Sequence, residues 1–241
     1  METLKLLTIG NSFSDDMMEY AYKIAKDLGV ENIILGNLVI GGCSIERHYS
    51  NTITKAKDYE FRYNKDDKWE TINNSTIDDG LNFEKWDYIS FQQASYLCGV
   101  NESFINLNKL VEYVKNSNKN AKLIWYQTWA YDEVSIHPEY HRYDNDQHKM
   151  YDAIQKTVNE VIVPMNFYKI INVGKAIQQA RKTQLKDKLT RDSYHLSYDI
   201  GRYLASLTFI SNLILEYVDD KYLSIDFPNE TIQVLKKCSK I

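Results

Sequence analysis

Short apolar runs alternate along most of the chain with stretches whose apolar residues recur every three or four positions, a pattern of strands followed by helices. Residues 3–9 are mostly apolar and run into Gly10-Asn11-Ser12, which reads as a buried first strand and its turn. Asp15 and Asp16 then open a helix with Met18, Ala21, Tyr22, Ala25 and Leu28 on one face. Acidic residues suit the start of a helix dipole, and Gly29 suits its C-cap. A second apolar run, 33–40, ends in Gly41-Gly42. Further strands are expected at 86–93, 121–129 and 168–173, with helices over 103–116, 144–161 and 175–182. Ser197 caps a long helix carrying Ile200, Leu204, Leu207, Ile210, Leu213, Leu215 and Val218, and 229–237 is a last surface helix. Between the second and third strands, Tyr59-x-Phe61-x-Tyr63 and Trp69-x-Thr71 alternate on either side of Asn64-Lys65-Asp66-Asp67, the signal of a β-hairpin.

Strands alternating with helices imply a mostly parallel sheet covered on both faces. The expected architecture is a single three-layer α/β/α domain over residues 1–241, with about five parallel strands and a small hairpin insertion. Ligands in such sheets bind beyond the carboxyl ends of the strands. That rule directs attention to Gly10-Asn11-Ser12, Gly41-Gly42-Cys43, Gln92-Gln93-Ala94-Ser95 and the loop holding Asp192 and His195.

The composition is that of a globular protein, with 44% hydrophobic and 26% charged residues, which excludes disordered and collagen-like chains. A formal charge of −4 and the absence of any long run of like charges speak against a nucleic-acid partner. Cys43, Cys98 and Cys238 are odd in number and contain no C-x-x-C pair, against both a disulfide framework and a thiolate zinc site. No apolar stretch approaches the ~18 residues of a membrane span. The first residues lack the basic region and cleavage site of a signal peptide, so a cytoplasmic location is expected.

Two sequence features carry chemistry. Ser12 stands between a strand and a helix, where its hydroxyl is exposed and turn N–H groups can face a developing negative charge; the alternative is a helix cap by Ser12 or Ser14. In Asp192-Ser193-Tyr194-His195 the spacing lets the carboxylate hold one imidazole nitrogen and leave the other free as a base; the alternative is a helix-start Asp beside a surface His. Cys43 reads as a small buried hydrophobe rather than a thiol nucleophile. His137, His141 and His148 superficially resemble a metal site, but Pro138 works against the helix a paired ligand set needs, and that loop is expected to wall the site. Trp129, Tyr131, Tyr143 and Tyr194 fall near strand ends, where aromatic faces suit sugar rings or simply pack the core. Glu46 and His48 are either substrate contacts or solvated surface.

Taken in order, Gly10-Asn11-Ser12-Phe13-Ser14, Gly41-Gly42-Cys43-Ser44, Trp86-Asp87 running into Gln92-Gln93, and Asp192-Ser193-Tyr194-His195 resemble the SGNH (GDSL-like) hydrolase superfamily, in a bacterial branch whose first block reads Gly-Asn-Ser-Phe. The resemblance implies Ser12 as nucleophile, His195 as base and Asp192 as its orienter. It further implies an oxyanion site made by the N–H groups of Ser12 and Gly42 and a side-chain amide. The usual Asn of the third block is absent; Gln93 takes its place here, with Gln92 as the alternative. The implied activity is a serine esterase releasing acetyl or another small acyl group from a small-molecule or oligosaccharide ester, without cofactor or metal. Trp129, Tyr131 and Tyr194 would contact the sugar. A lipid or thioester esterase of the same fold and a non-catalytic carbohydrate-binding module are the competing readings. The hairpin either overhangs the site or joins a homodimer.

Overall fold

Alternating burial along the first strand sets the layers: in β1 (Thr3–Gly10), Leu4 and Leu6 join one apolar cluster, while Leu7 and Ile9 join the other. The computed structural model describes residues 2–216 and 218–241, apart from the side chain of Asp187. Its other strands are β2 (Asn32–Val39), β3 (Tyr59–Asn64), β4 (Trp69–Ser75), β5 (Tyr88–Phe91), β6 (Lys122–Gln127) and β7 (Lys169–Asn172). They form one seven-stranded sheet in the order β4-β3-β2-β1-β5-β6-β7. The run β2-β1-β5-β6-β7 is parallel, as the alternating pattern predicts.

The hairpin departs from expectation. It is no separate insertion: β3 pairs antiparallel with β2, and β4 with β3, so the sheet has seven strands rather than five. The reason lies in burial. Tyr59 and Phe61 drop into the apolar cluster beneath β2, and β3 satisfies backbone groups that β2 would otherwise leave open at an edge.

Helices α1 (Ser12–Met18) and α2 (Ala21–Asp27) cover one face of the sheet. Helices α3 (Ile45–Thr54), α4 (Ile77–Phe83) and α5 (Leu107–Ser117) cover the other. Helix α6 (Gln147–Thr157) gives Met150 and Ile154 to the first cluster, and the turn Val158–Ile162 after it reaches the second. Helices α7 (Val173–Ala180), α8 (Ile200–Ile214) and α9 (Asn229–Ser239) complete the first face. The single helix expected from Asp15 to Leu28 is broken in two. Ser206 of α8 donates to Met17 O at 2.5 Å and accepts from Tyr20 N–H at 3.3 Å, occupying backbone groups that a continuous helix would pair internally. The long helix α8 also stops early, at Leu215 in the left-handed region, with Val218 beyond it.

Strand β1 is central, with β2 on one side and β5 on the other, so the three loops after these strands meet at the point where the strand order reverses. Along α1, Asp15 tethers the hairpin through Arg62 at 2.8 Å and accepts from Asn37 Nδ2 at 2.8 Å. Burial pushes the Asp15 carboxyl up to about 6, because Arg62 opposes it only in part and also pairs with Glu60. A carboxyl raised in the folded state stabilises when protonated and loses that contribution as pH climbs from its unfolded value to its folded one. Wild type should therefore lose about 1–3 kcal/mol of stability relative to Asp15→Asn as pH rises from about 4 to 6.5 in urea titrations. A pH-independent difference would refute this account of Asp15.

Candidate active site

The nucleophile side is organised by Asn11. Its Oδ1 caps α1 by accepting from Phe13 N–H at 3.0 Å, and it also accepts from Gln92 Nε2 at 2.6 Å. Its Nδ2 donates to Cys43 O at 3.1 Å. One buried amide thus ties the loops after β1, β2 and β5 together. The third bond needs a donor, which explains an amide where a carboxylate would only repel the Cys43 carbonyl. A Cβ on Gly10 would stand 2.7 Å from Ser14 Oγ and 3.0 Å from Gln92 Cδ, so the turn leaves room only for glycine. After β2, Ile40 O accepts from Cys43 N–H at 3.1 Å around Gly42, whose φ of +61° is a conformation glycine adopts freely. Ser12 heads α1, and neither its N–H nor that of Gly42 has an acceptor among the described residues.

The base arrives on loop 181–199, pinched shut by an antiparallel bridge between Thr190 and Leu196. Asp192 Oδ1 accepts from His195 N–H at 2.7 Å and Tyr194 N–H at 3.3 Å, and Ser193 takes φ +72° to make that fold-back possible. This is a closed loop rather than a helix start. His195 Nδ1 lies 2.7 Å from Asp192 Oδ2, and Nε2 lies 2.8 Å from Ser12 Oγ. A carboxylate only accepts, so Nδ1 carries the hydrogen and the neutral ring leaves Nε2 to accept from Ser12. Burial opposes ionisation of Asp192, but hydrogen bonds from the His195 ring and backbone outweigh it and hold the carboxyl below its ordinary range.

Both flanks of the loop are clamped. On the α1 side, fully buried Asp16 accepts from Leu196 N–H at 2.8 Å, Arg202 Nε at 2.8 Å and Arg191 at 3.0 Å. On the β6 side, Trp129 Nε1 donates to Tyr194 O at 2.7 Å and Asp132 N–H to Ser193 O at 2.8 Å. Arg181 holds Asp132 in turn at 2.6 Å.

A cavity of about 340 Å³ opens over Ser12 and His195, lined also by Gly42, Ser95, Tyr96, His137 and Tyr194. A larger one, about 550 Å³, lies where α8 and α9 end and contains no imidazole or thiol. Ser12, Gly42, Asp192, His195 and Tyr194 are thus brought together as the sequence suggests.

Other assignments need correction. Gln93 is fully buried and faces away from the cavity: its Nε2 donates to Ser103 O and Oγ at 2.9 and 3.0 Å, and its Oε1 accepts from the N–H groups of Ile45 and Ala94. Gln92 gives one Nε2 hydrogen to Asn11 Oδ1, is itself buried and does not line the cavity. Neither amide is available to an oxyanion. Trp129 is fully buried, stacked on Phe13 with centroids 4.2 Å apart, and Tyr131 is equally buried, so neither can be a sugar platform. His48 is no surface residue; it is buried against Tyr59 Oη at 2.9 Å, and burial lowers its pKa to about 3. Cys43 is buried and its thiol pushed up to about 12, chiefly by desolvation, which leaves it inert as a nucleophile. Among the His-rich loop residues, only His137 reaches the cavity. Its ring packs against Tyr131 and Tyr194 at 4.7 and 4.9 Å, its Nδ1 accepts from Glu139 N–H, and burial holds it below its ordinary pKa. Among the described residues no three His, Cys, Asp or Glu side chains converge as metal ligands. Sequence reasoning missed Tyr96 as a lining residue, and it placed Ser95 in a segment of interest without giving it a role; the one signal for both was position, just after a strand at the carboxyl edge of the sheet.

A family model described as a domain of unknown function, DUF4886, matches residues 5–236. The chain belongs to the DUF4886 family. A DUF4886 protein of Bacteroides uniformis is 37% identical and superposes with a TM-score of 0.94, covering 99% of this chain and 93% of the other. More distant structures share the fold. An acetylxylan esterase from Geobacillus stearothermophilus is 13% identical with a TM-score of 0.59, over 89% of this chain and 95% of its own. A lipase/acylhydrolase from Enterococcus faecalis is 13% identical with a TM-score of 0.56, over 93% and 100%. No curated protein matches the chain. This DUF4886 chain therefore has the fold of the SGNH (GDSL-like) hydrolases. None of its described helices is long and apolar enough to cross a membrane.

The clamp on the loop yields a stability prediction. Asp16→Ala removes the shared buried partner of Arg191 and Arg202, which keep only Leu196 O and Glu19, and leaves the Leu196 N–H unpaired; it should destabilise the DUF4886 fold by about 3–5 kcal/mol in urea unfolding. The Leu196 amide should lose its hydrogen-exchange protection at the same time; retained protection would mean that the loop is held by the β6 side alone.

Proposed function

We propose that the protein is a serine esterase acting on small acyl esters, acetyl foremost, carried by a carbohydrate. The observation that carries this reading is the unbroken chain from Ser12 Oγ through the His195 ring to Asp192, set beside two N–H groups that have no acceptor among the described residues. In the proposed cycle Ser12 Oγ attacks the acyl carbonyl and passes its proton to His195 Nε2. The N–H groups of Ser12 and Gly42 face the tetrahedral oxyanion. Asp192 stabilises the imidazolium, which then protonates the departing alkoxide. A water activated by the neutral ring releases the acyl group and restores Ser12.

The carbohydrate part of the reading draws on the cavity wall, where Tyr96, Tyr194 and His137 present partly exposed rings. It also draws on likeness of fold to an acetylxylan esterase and to a family 3 carbohydrate esterase of Clostridium thermocellum. A second reading has its own support. Val134 and Ile136 are 79% and 91% exposed on the loop that ends in the cavity residue His137, an apolar surface that a longer acyl chain would cover on this reading.

A fluorophosphonate probe should label wild type at Ser12 and leave Ser12→Ala unlabelled. Asp192→Asn should lower kcat by about 10³–10⁴. Because the Asp192 carboxyl sits below its ordinary range, it stays ionised through neutral and mildly acid pH, and loss of rate on acidification should track His195 protonation alone. A flat kcat/KM profile from about pH 5 to 9 would refute His195 as the base. Turnover of nitrophenyl esters that peaks at acetate, with release of acetate from acetylated xylo-oligosaccharide, supports the first reading; a rise towards octanoate supports the second. Absence of both labelling and turnover would leave a binding module.

A further inference from the structure

With Gln92 and Gln93 both committed elsewhere, the cavity needs another side-chain donor if the oxyanion is to receive three hydrogen bonds. Ser95 meets the positional requirement. It follows β5, the strand beside β1, and lines the same cavity as Ser12 and Gly42. Asn11 also lines the cavity, but its amide is held in place by Cys43 O, Phe13 N–H and Gln92 and is only 2% exposed. His137 reaches the cavity by way of Tyr194, whose ring lies between it and the His195 ring with centroids at 4.9 and 4.3 Å.

The orientation of the Ser95 hydroxyl follows from its one partner. Ser95 Oγ lies 2.7 Å from Tyr131 Oη, and Tyr131 is fully buried, its hydroxyl with no other hydrogen-bond partner among the described residues. If Ser95 donated to Tyr131, the phenolic hydrogen would be left unpaired in an apolar interior, at a cost of about 1–3 kcal/mol. If Tyr131 donates to Ser95, both groups are satisfied: the phenol is paired, and the Ser95 hydrogen is left free on the side open to the cavity. The second arrangement is therefore favoured. Donation from Tyr131 also polarises the Ser95 O–H and makes it a better donor to an anion.

We propose that Ser95 Oγ–H is the third oxyanion donor of this site, aimed by the buried Tyr131. The proposal rests on the esterase reading above and puts a hydroxyl where the resemblance of the sequence implies a side-chain amide. Ser95 touches the reacting atoms; Tyr131 acts through Ser95 and is a positioning residue.

The test is steady-state hydrolysis of 4-nitrophenyl acetate, with active sites counted by fluorophosphonate uptake so that misfolded protein does not enter kcat. Ser95→Ala should lower kcat about ten- to hundredfold while KM stays within about threefold, because the bond forms only as the charge develops. Ser95→Thr, which keeps the hydroxyl, should recover most of the loss. Tyr131→Phe should lower kcat about three- to tenfold and should add little on top of Ser95→Ala, since it acts through that hydroxyl. A Ser95→Ala kcat within twofold of wild type, or an effect confined to KM, overturns the proposal while leaving the esterase reading intact. So does a Tyr131→Phe loss that multiplies in full with Ser95→Ala. If wild type neither takes up the probe nor hydrolyses the ester, the esterase reading falls and this inference falls with it.

Discussion

Ser12 and His195 are 183 residues apart in sequence and meet at 2.8 Å because a single buried carboxylate fastens the loop of one to the helix of the other. Asp16 sits one turn after Ser12 on α1 and accepts the N–H of Leu196, the residue that follows His195. It is fully buried, so its charge is tolerable only because Arg191 and Arg202 surround it. Arg191 comes from the loop itself and Arg202 from α8, which makes three elements converge on one pair of oxygens. A contact of this kind is directional in a way that apolar packing is not. Sliding the loop by one residue would break the Leu196 bond and leave the carboxylate short of donors.

Asn11 does for the other half of the site what Asp16 does for the loop. Its amide reaches the turns after β2 and β5 while capping α1, so the Ser12 N–H and the Gly42 N–H are set relative to each other by one side chain. Both donors lie on main chain, and the glycines around them remove the side chains that would shield them. Preorganisation of this sort costs nothing at the moment of reaction, because the N–H groups are already in place and have no acceptor to give up among the described residues.

How legible the molecule is from its sequence depends on the range of the interaction. Ser12 after the first strand, and Asp192 three residues before His195, could be read because strand periodicity and a short spacing are local facts. That most strands run parallel was legible for the same reason, whereas their order in the sheet is written in no local pattern. The hairpin's docking onto β2 was not, since nothing in its alternation says which edge it covers. Gln93 shows the limit most clearly. Its residue type suits an oxyanion donor, yet Ile45, Ala94 and Ser103 claim its amide, and Ser103 is a partner that only the folded chain brings close. The helix break at Glu19–Tyr20 likewise depends on Ser206, far along the chain.

The aromatic residues make a related point about what a strand end offers. Trp129, Tyr131 and Tyr194 look equivalent in sequence, but only Tyr194 reaches the cavity. Trp129 stacks on Phe13 and bonds Tyr194 O, placing it beneath the loop rather than in front of it. Tyr131 is buried against Tyr140 and Tyr194, with only its oxygen directed at a polar partner. A large ring behind a site fixes the backbone in front of it, and a buried hydroxyl on that ring can then choose the direction of a neighbour's hydrogen. Aromatic residues here therefore act on the chemistry through the residues they hold, and counting rings near strand ends overstates how many of them a ligand would touch.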